Sequence, residues 1–362
     1  MRVVLLSKAL VVGAYQRKCE LLAEINGIEL TVLVPERWGT QQAERTHTHG
    51  YDLRILPIRF AGNFHLHYYP SLSAHLRELQ PDVLHIDEEP YNFATWSALR
   101  AARALRRAPR TLFFSWQNLL RNYPPPFRWM DRTVLNDVDA AIVGSTEAAS
   151  VWRAKGFAKP LTIVPQFGVD ENFFQPAQMR DPEAPFTVGF AGRLVPEKGV
   201  DVLLQALTAA PGVHAHVLGD GPLRTALAAQ AQALGLGARV RFEDSRPSTH
   251  MPEFYRCLDA LVLPSRTMPN WKEQFGRVLI EAMACGVPVL GSNSGEISRV
   301  IGDAGMVFAE GDTTQLAAQL QRLASDAALC IQLAQHGRAR VLAEFTMRRI
   351  AQRTAEAWNL VM

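Results

Sequence analysis

The feature that most constrains this chain is a repeated alternation of short, two-faced apolar runs with longer segments of helical period. Runs at 2–6, 29–34, 52–56, 82–86, 110–114, 139–143 and 161–165 are mostly rich in Val, Ile and Leu on both faces, as strands covered by helices on both sides must be. Helical stretches fall between them, at 14–25, 71–79, 93–106 and 146–155. Such β-α alternation predicts a parallel sheet with helices on both faces. The pattern pauses at 166–185, which has three prolines and no clear period. It restarts with strands at 186–191, 213–218, 239–242, 259–263 and 287–290, and helices at 199–209, 222–233, 250–256 and 276–284. We read two α/β domains, 1–167 and 168–345, with the helical segment 346–362 packing back on the first. The length of 362 residues suits two cores, and 48% hydrophobic with 20% charged residues excludes disordered, collagen-like and coiled-coil classes.

Charge and targeting signals narrow the class further. No apolar run reaches the roughly 18 residues of a spanning helix. The basic, apolar start reads as a first strand, because Lys8 interrupts the run and no small-x-small cleavage site follows it. Net charge is +3; residues 1–170 carry an excess of about four positive charges and the remainder is near neutral. That is too little for a nucleic-acid binder, but it favours an acidic substrate or an anionic lipid surface near the first domain. Cys19, Cys257, Cys285 and Cys330 lie far apart with no C-x-x-C, so a reducing, cytoplasmic setting is expected.

Three pieces in the second half carry the chemistry. Gly192-Arg193-Leu194-Val195-Pro196-Glu197-Lys198-Gly199 follows the strand FTVGFA. Glycines at a strand end let backbone approach a ligand, and Arg193 with Lys198 suits a diphosphate; the alternative is a surface turn with two solvated cations. Glu273 and Glu281 stand eight residues apart, Glu273 in a loop and Glu281 on a helix. A carboxylate aimed at a ligand can hold a ribose diol, and Gly276 leaves room for backbone N–H groups; a solvated acid is the alternative for either. Glu281-Ala-Met-Ala-Cys-Gly286-Val-Pro-Val is ordinary helix-to-strand punctuation.

In this order and spacing, with Asp259-Ala-Leu-Val-Leu-Pro-Ser265 just upstream, these pieces resemble the family-4 retaining glycosyltransferases of the GT-B fold. The resemblance covers most of 160–310. It implies two Rossmann-like domains facing a cleft, with the acceptor on the first and the nucleotide-sugar donor on the second. Arg193 and Lys198 would bind the donor diphosphate beside Gly192, and Glu281 the ribose. Glu273 would face the donor sugar next to the backbone of Phe275 and Gly276. The strand PDVLHIDEEPYNF is similar to the family's H-x-H-E segment, with His85 at the first histidine and Asp87 at the second, followed by Glu88 and Glu89. Asp87, Glu88 or Glu89 could then stabilise developing positive charge or position the acceptor; a core role for His85 and a solvated turn for the acids are the alternatives. Gly13 corresponds to the family's glycine-rich loop, of which it keeps one glycine.

Other sites compete for attention. Trp116, Gln117 and Asn118, at the end of strand TLFF, offer a stacking face and amides to an acceptor sugar, or simple packing. Asp137-Val-Asp139 is a D-x-D, which other glycosyltransferases use for metal, but GT-B enzymes of this type do not need it. His47/His49, His65/His67 and His214/His216 have strand-face spacing without a third ligand in sequence; His65 and His67 are candidates to line the acceptor side. Arg100, Arg103 and Arg107 would share one face of a helix over 98–108, either solvated or placed against a membrane. The expectation is therefore a metal-independent retaining hexosyltransferase, with no cofactor. Its partners would be a UDP-sugar or GDP-sugar and a carbohydrate or lipid-linked acceptor, with peripheral membrane contact through the first domain and no nucleic acid. A GT-B epimerase, a phosphorylase and a non-catalytic nucleotide-sugar or glycan-binding subunit are the alternatives.

Overall fold

In the computed structural model, which describes residues 1–176 and 184–362, the chain forms two units: Met1–Gly168 with Met347–Met362, and Val169–Thr346. The low-period segment expected over 166–185 includes 177–183, which lie outside the described residues. Its described beginning tucks Phe174 into the second unit at 8% exposure.

The first unit runs β1 (Arg2–Ser7), α1 (Arg17–Ala23), β2 (Glu29–Pro35), the short antiparallel pair β3 (Arg37–Trp38) and β4 (Gln41–Gln42), β5 (Asp52–Leu56), α2 (Leu72–Leu79), β6 (Val83–Asp87), α3 (Phe93–Arg103), β7 (Arg110–Ser115), α4 (Phe127–Asp137), β8 (Ala140–Val143), α5 (Thr146–Ala154) and β9 (Leu161–Ile163). Seven parallel strands order as β5-β2-β1-β6-β7-β8-β9. Side chains alternate along β1, so Val3 and Leu5 join one buried layer while Val4 and Leu6 join another. Apolar residues on both faces require cover on both, which explains the continuous hydrophobic run. The strand order reverses between β1 and β6, and the carboxyl ends of these two strands flank the crevice where α/β sheets take ligands.

The second unit runs β10 (Thr187–Ala191), α6 (Val200–Thr208), β11 (His214–Leu218), α7 (Arg224–Ala233), β12 (Val240–Glu243), α8 (Met251–Arg256), β13 (Ala260–Leu263), α9 (Arg277–Ala284), β14 (Val289–Ser292), α10 (Ile297–Ile301), β15 (Met306–Phe308), α11 (Thr313–Ser325) and α12 (Ala327–Glu344). Its six strands order as β12-β11-β10-β13-β14-β15, all parallel, with the reversal between β10 and β13. The last helix, α13 (Met347–Asn359), belongs to the first unit and packs on α1.

Three local differences from the sequence reading have physical causes. The helix expected over 93–106 stops at Arg103, because Leu105 turns into the core at 8% exposure and Pro109 follows. Arg107 is therefore not on a shared helical face with Arg100 and Arg103. Helix α1 starts at Arg17, since Gly13–Gln16 form a 3₁₀ turn before it. Helices α4, α10, α11 and α12 were not anticipated, although Asp312 and Asp326 cap α11 and α12 by accepting from Gln315 N and Leu329 N at 2.8 and 2.9 Å. Asp312 followed by Gln315 is a helix-start signal that sequence alone could have supplied.

Candidate functional site

In the second unit the loop after β10 is laced to the loop after β11. Gly192 N donates to Leu218 O at 3.0 Å and Leu194 N to Asp220 O at 2.9 Å. Backbones can meet this closely only because Gly219 has no side chain: a Cβ there would lie 1.9 Å from Gly192 O. The chain then reaches Gly199, which has φ +65° and caps the start of α6; a Cβ would lie 2.0 Å from Pro264 O. Gly199 thus fastens the loop after β10 to the end of β13, at the switch point.

This arrangement brings Lys198 to Glu273. Lys198 Nζ donates to Glu273 Oε2 at 2.6 Å and lies 4.9 Å from the centre of the Trp271 ring. Ser265 Oγ donates to the same carboxylate oxygen at 2.9 Å, and Ser292 Oγ at the end of β14 donates to Ser265 O. Glu273 is 7% exposed. Glu281, on α9, forms a separate set: Arg277 Nε lies 2.8 Å from Oε1 and Tyr255 OH donates to Oε2 at 2.6 Å. Burial, and then the charge of Glu281, pushes the Tyr255 phenol far above its ordinary range, so it stays a donor. Phe275 packs edge-on to Phe345, and Gly276, at φ +78°, is the N-cap of α9. Arg193 is exposed. Neither α6 nor α9 has a side-chain cap at its start; Val202 N and Leu279 N instead turn back to Gly199 O and Gly276 O, each at 2.9 Å, and the positive end of each helix is left without a side-chain acceptor.

In the first unit the carboxyl end of β6 carries three buried carboxylates with different partners. Asp87 accepts from Ser7 Oγ at 2.5 Å and from Gln166 Nε2 at 2.9 and 3.0 Å. Burial raises its pKa against the pull of Lys18, Ser7 and Gln166. Glu88 accepts from Lys8 Nζ and, at 3.0 Å, from Tyr69 OH, with His67 Nε2 at 3.3 Å. Burial would raise Glu88, but Lys8 and His67 outweigh it and hold the carboxyl at about 2. Glu89 accepts from Ser115 Oγ at 2.5 Å and Trp116 N at 2.8 Å, and burial lifts it to about 7.

The remaining expected residues are placed as follows. His85 lies in the core at 2% exposure, where its Nδ1 accepts from Trp358 Nε1 at 3.2 Å; burial pushes it down to about 3, so the ring is neutral. Trp116 donates its indole N–H to Gln166 Oε1 at 2.9 Å and lies against Gly144, where a Cβ would sit 2.0 Å from the ring. Gln117 donates to Leu119 O at 3.0 Å and is 6% exposed; Asn118 is half-exposed and donates to Glu147 at 3.3 Å. Gly13 differs from an open ligand loop, because its N–H donates to Glu44 Oε2 at 2.6 Å and a Cβ would lie 2.1 Å from Thr46 Oγ1. Asp139 of the D-x-D accepts from Thr111 N and Oγ1 at 2.8 and 3.0 Å, a fastening between β7 and β8. Among the described residues no three His, Cys, Asp or Glu side chains are grouped to hold a metal ion.

Residues 17–172 match the model of Glycosyltransferase Family 4, and residues 171–340 match that of Glycosyl transferases group 1. Each half of the chain thus matches a glycosyltransferase domain model, and the two parallel-sheet domains have the GT-B fold. The chain is 32% identical over 194 residues to the D-inositol 3-phosphate glycosyltransferase of Mycobacterium tuberculosis (strain ATCC 25618 / H37Rv), a stretch covering 49% of this chain and 39% of that relative. The chain thus matches about two-fifths of the length of its curated relatives. Among solved structures, sucrose-phosphate synthase from Thermosynechococcus elongatus has the same fold, with TM-score 0.76, 20% identity and 100% and 99% coverage of the two chains. HepE from Anabaena in complex with UDP superposes with TM-score 0.75, 20% identity and 99% and 100% coverage.

Family resemblance did not reveal every member of these sites. Lys8 and Gln166 are far from the acidic run in sequence, and nothing local marks them; Tyr69 closes the His65-Leu-His67-Tyr-Tyr run expected on the acceptor side, and it meets Glu88 together with His67. Gly219-Asp220-Gly221 at the end of β11 was legible, since glycines flanking an acid at a strand end signal close backbone approach.

Proposed function

We propose that this chain is a retaining glycosyltransferase. It would move a hexosyl group from a nucleoside diphosphate sugar to an acceptor hydroxyl in glycan, glycolipid or envelope-polysaccharide synthesis in the cytoplasm. The observation that carries this reading is the Lys198–Glu273 pair at the switch point, beside two uncapped helix starts. A diphosphate needs fixed positive charge and free N–H groups, while a donor sugar needs an oriented carboxylate. Lys198 supplies the charge and holds Glu273 in place; the exposed Arg193 adds a second cation. Glu281, oriented by Tyr255 and Arg277, keeps an acceptor lone pair on each oxygen for a ribose diol. UDP is the favoured nucleotide of the donor, supported by HepE, which has been solved with UDP and with UDP-glucose; GDP is the other option.

In the proposed step the bond from the anomeric carbon to the diphosphate oxygen breaks, and the acceptor oxygen bonds to that carbon on the same face. The acceptor proton passes to the departing diphosphate, whose charge rests on Arg193, Lys198 and the helix starts, without a cofactor. The first unit takes the acceptor: Glu88, with Lys8, and Glu89 form the polar edge, with Asn118 nearby on β7's loop. Asp87 and His85 position that edge from beneath, as do Trp116 and Gln117. An acceptor bearing negative charge fits the cationic excess of the first 170 residues, and the mycobacterial relative is named for a phosphorylated inositol.

The test is a transfer assay of the full chain with UDP-hexoses and GDP-hexoses over an acceptor panel. Lys198→Ala and Glu281→Gln should each lower transfer at least about 100-fold while the far-UV spectrum is kept. Full activity in either variant refutes the assignment. Sugar interconversion with donor alone would indicate an epimerase, and donor binding without turnover a binding subunit.

A further inference from the structure

We propose that the surface formed by residues 59–68, 93–96 and 120–132 is the face on which this chain sits against an anionic lipid bilayer. This inference does not rest on the transferase reading. Of the eleven large hydrophobic side chains exposed among the described residues, five lie here: Phe60, Phe64, Leu66, Leu120 and Trp129, between 41% and 63% exposed. Phe60 and Trp129 are joined through a run of rings in contact. Centroid distances are 6.3 Å for Phe60–Tyr68, 5.5 Å for Tyr68–Phe93, 5.6 Å for Phe93–Trp96 and 5.5 Å for Trp96–Trp129. Tyr91 links Phe64, at 6.2 Å, to Tyr123, on which it stacks at 4.2 Å. A soluble monomer rarely exposes so much contiguous apolar area without a partner for it.

Charge selects the partner. Residues 90–130 contain seven arginines and not one Asp or Glu, and 53–77 are also free of acids. Within this surface Arg59, Arg121, Arg128 and Arg132 are exposed beside the aromatic groups, and Arg100 lies one turn along α3 from Trp96. Asp131, the one acid on α4 before its last residue, is 7% exposed and paired with Lys155 at 2.9 Å, so it does not face outward. Exposed Trp, Phe and Leu ringed by arginine is the composition that settles at the headgroup level, the rings in the acyl boundary and the guanidinium groups on phosphates. A protein partner needs no such exclusion of acids over so long a stretch. The surface is also held firm from below: Lys8 Nζ lies 4.7 Å from the centre of the Phe64 ring while bound to Glu88, and Tyr69 and His67 close on the same carboxylate. This displaces the membrane reading from the α3 arginine row, which ends at Arg103, to an aromatic belt.

The full chain is tested by flotation with vesicles of phosphatidylcholine, with and without phosphatidylglycerol. It should float with the anionic vesicles, weakly or not at all with neutral ones, and less as salt rises. Arg128→Gln with Arg132→Gln, at exposed positions that leave the fold intact, should weaken binding about 30-fold, near fivefold per arginine. Phe60→Ser with Phe64→Ser and Trp129→Ser should abolish it, with an unchanged unfolding midpoint as control. Absence of flotation with anionic vesicles, or equal flotation of both variants, overturns the proposal. So does binding to a soluble polyanion without binding to vesicles, or an aromatic-variant effect confined to self-association.

Discussion

Glu88 and Glu89 are neighbours in sequence whose environments drive their protons in opposite directions. Glu89, lifted to about 7 from an ordinary 4.5 by burial, holds a proton in the native state that the unfolded chain has released. Its stabilising contribution is complete below about pH 4.5 and is lost as pH rises through 7. Glu88, held at about 2 by Lys8 and His67 in spite of burial, behaves in reverse: its contribution is complete above 4.5 and lost as pH falls toward 2. Unfolding free energy of the Glu89→Gln variant should therefore lack a decline between pH 5 and 7 that the parent shows, of order 1–3 kcal/mol; urea titrations across that range measure it, and identical slopes would refute the assignment. Lys198→Met should remove the cation that faces the buried Glu273 carboxylate and cost about 1–3 kcal/mol, read as a lower denaturation midpoint. Lys198, Glu273 and Glu281 were legible because they belong to short motifs with chemical reasons for their spacing. The Lys8–Glu88 pair was not, because its members are 80 residues apart and meet only through the β1–β6 pairing.

At the scale of elements, α13 shows how a polar-looking segment becomes an anchor. Met347, Ile350, Ala351, Thr354, Ala355 and Trp358 recur on one helical face and are all buried. Trp358 is fully buried and gives its indole N–H to His85. Trp358→Ala should cost about 3–5 kcal/mol, measured by denaturant unfolding. A cost below about 1 kcal/mol would mean that the helix does not hold the first unit together. Gly199→Ala combines a left-handed backbone with a Cβ 2.0 Å from Pro264 O. Because the obstacle is backbone, the expected loss is about 2–4 kcal/mol, with Lys198 displaced from Glu273. Most strands and helices were legible from their periods; the short β3, β4 and β15 were not, since two or three residues carry no period. The end of α3 was not, because Leu105 keeps the helical apolar spacing while serving a turn.

For the whole molecule, the alternation of strands and helices was enough to predict parallel α/β units. The strand orders that create a switch point in each unit came only from pairing. Those orders explain why the Arg193–Gly199 loop and the Asp87–Glu89 run fall at carboxyl ends of central strands. The chemistry assigned to the second unit is the central claim, and ligand-linked stability tests it most directly. In thermal unfolding of the full chain with UDP, GDP and ADP, one nucleoside diphosphate at 100 times its dissociation constant should add about 2.7 kcal/mol. That gain should vanish in Lys198→Ala and Glu281→Gln. A chain that none of the three stabilises, or variants stabilised as much as the parent, would contradict the account.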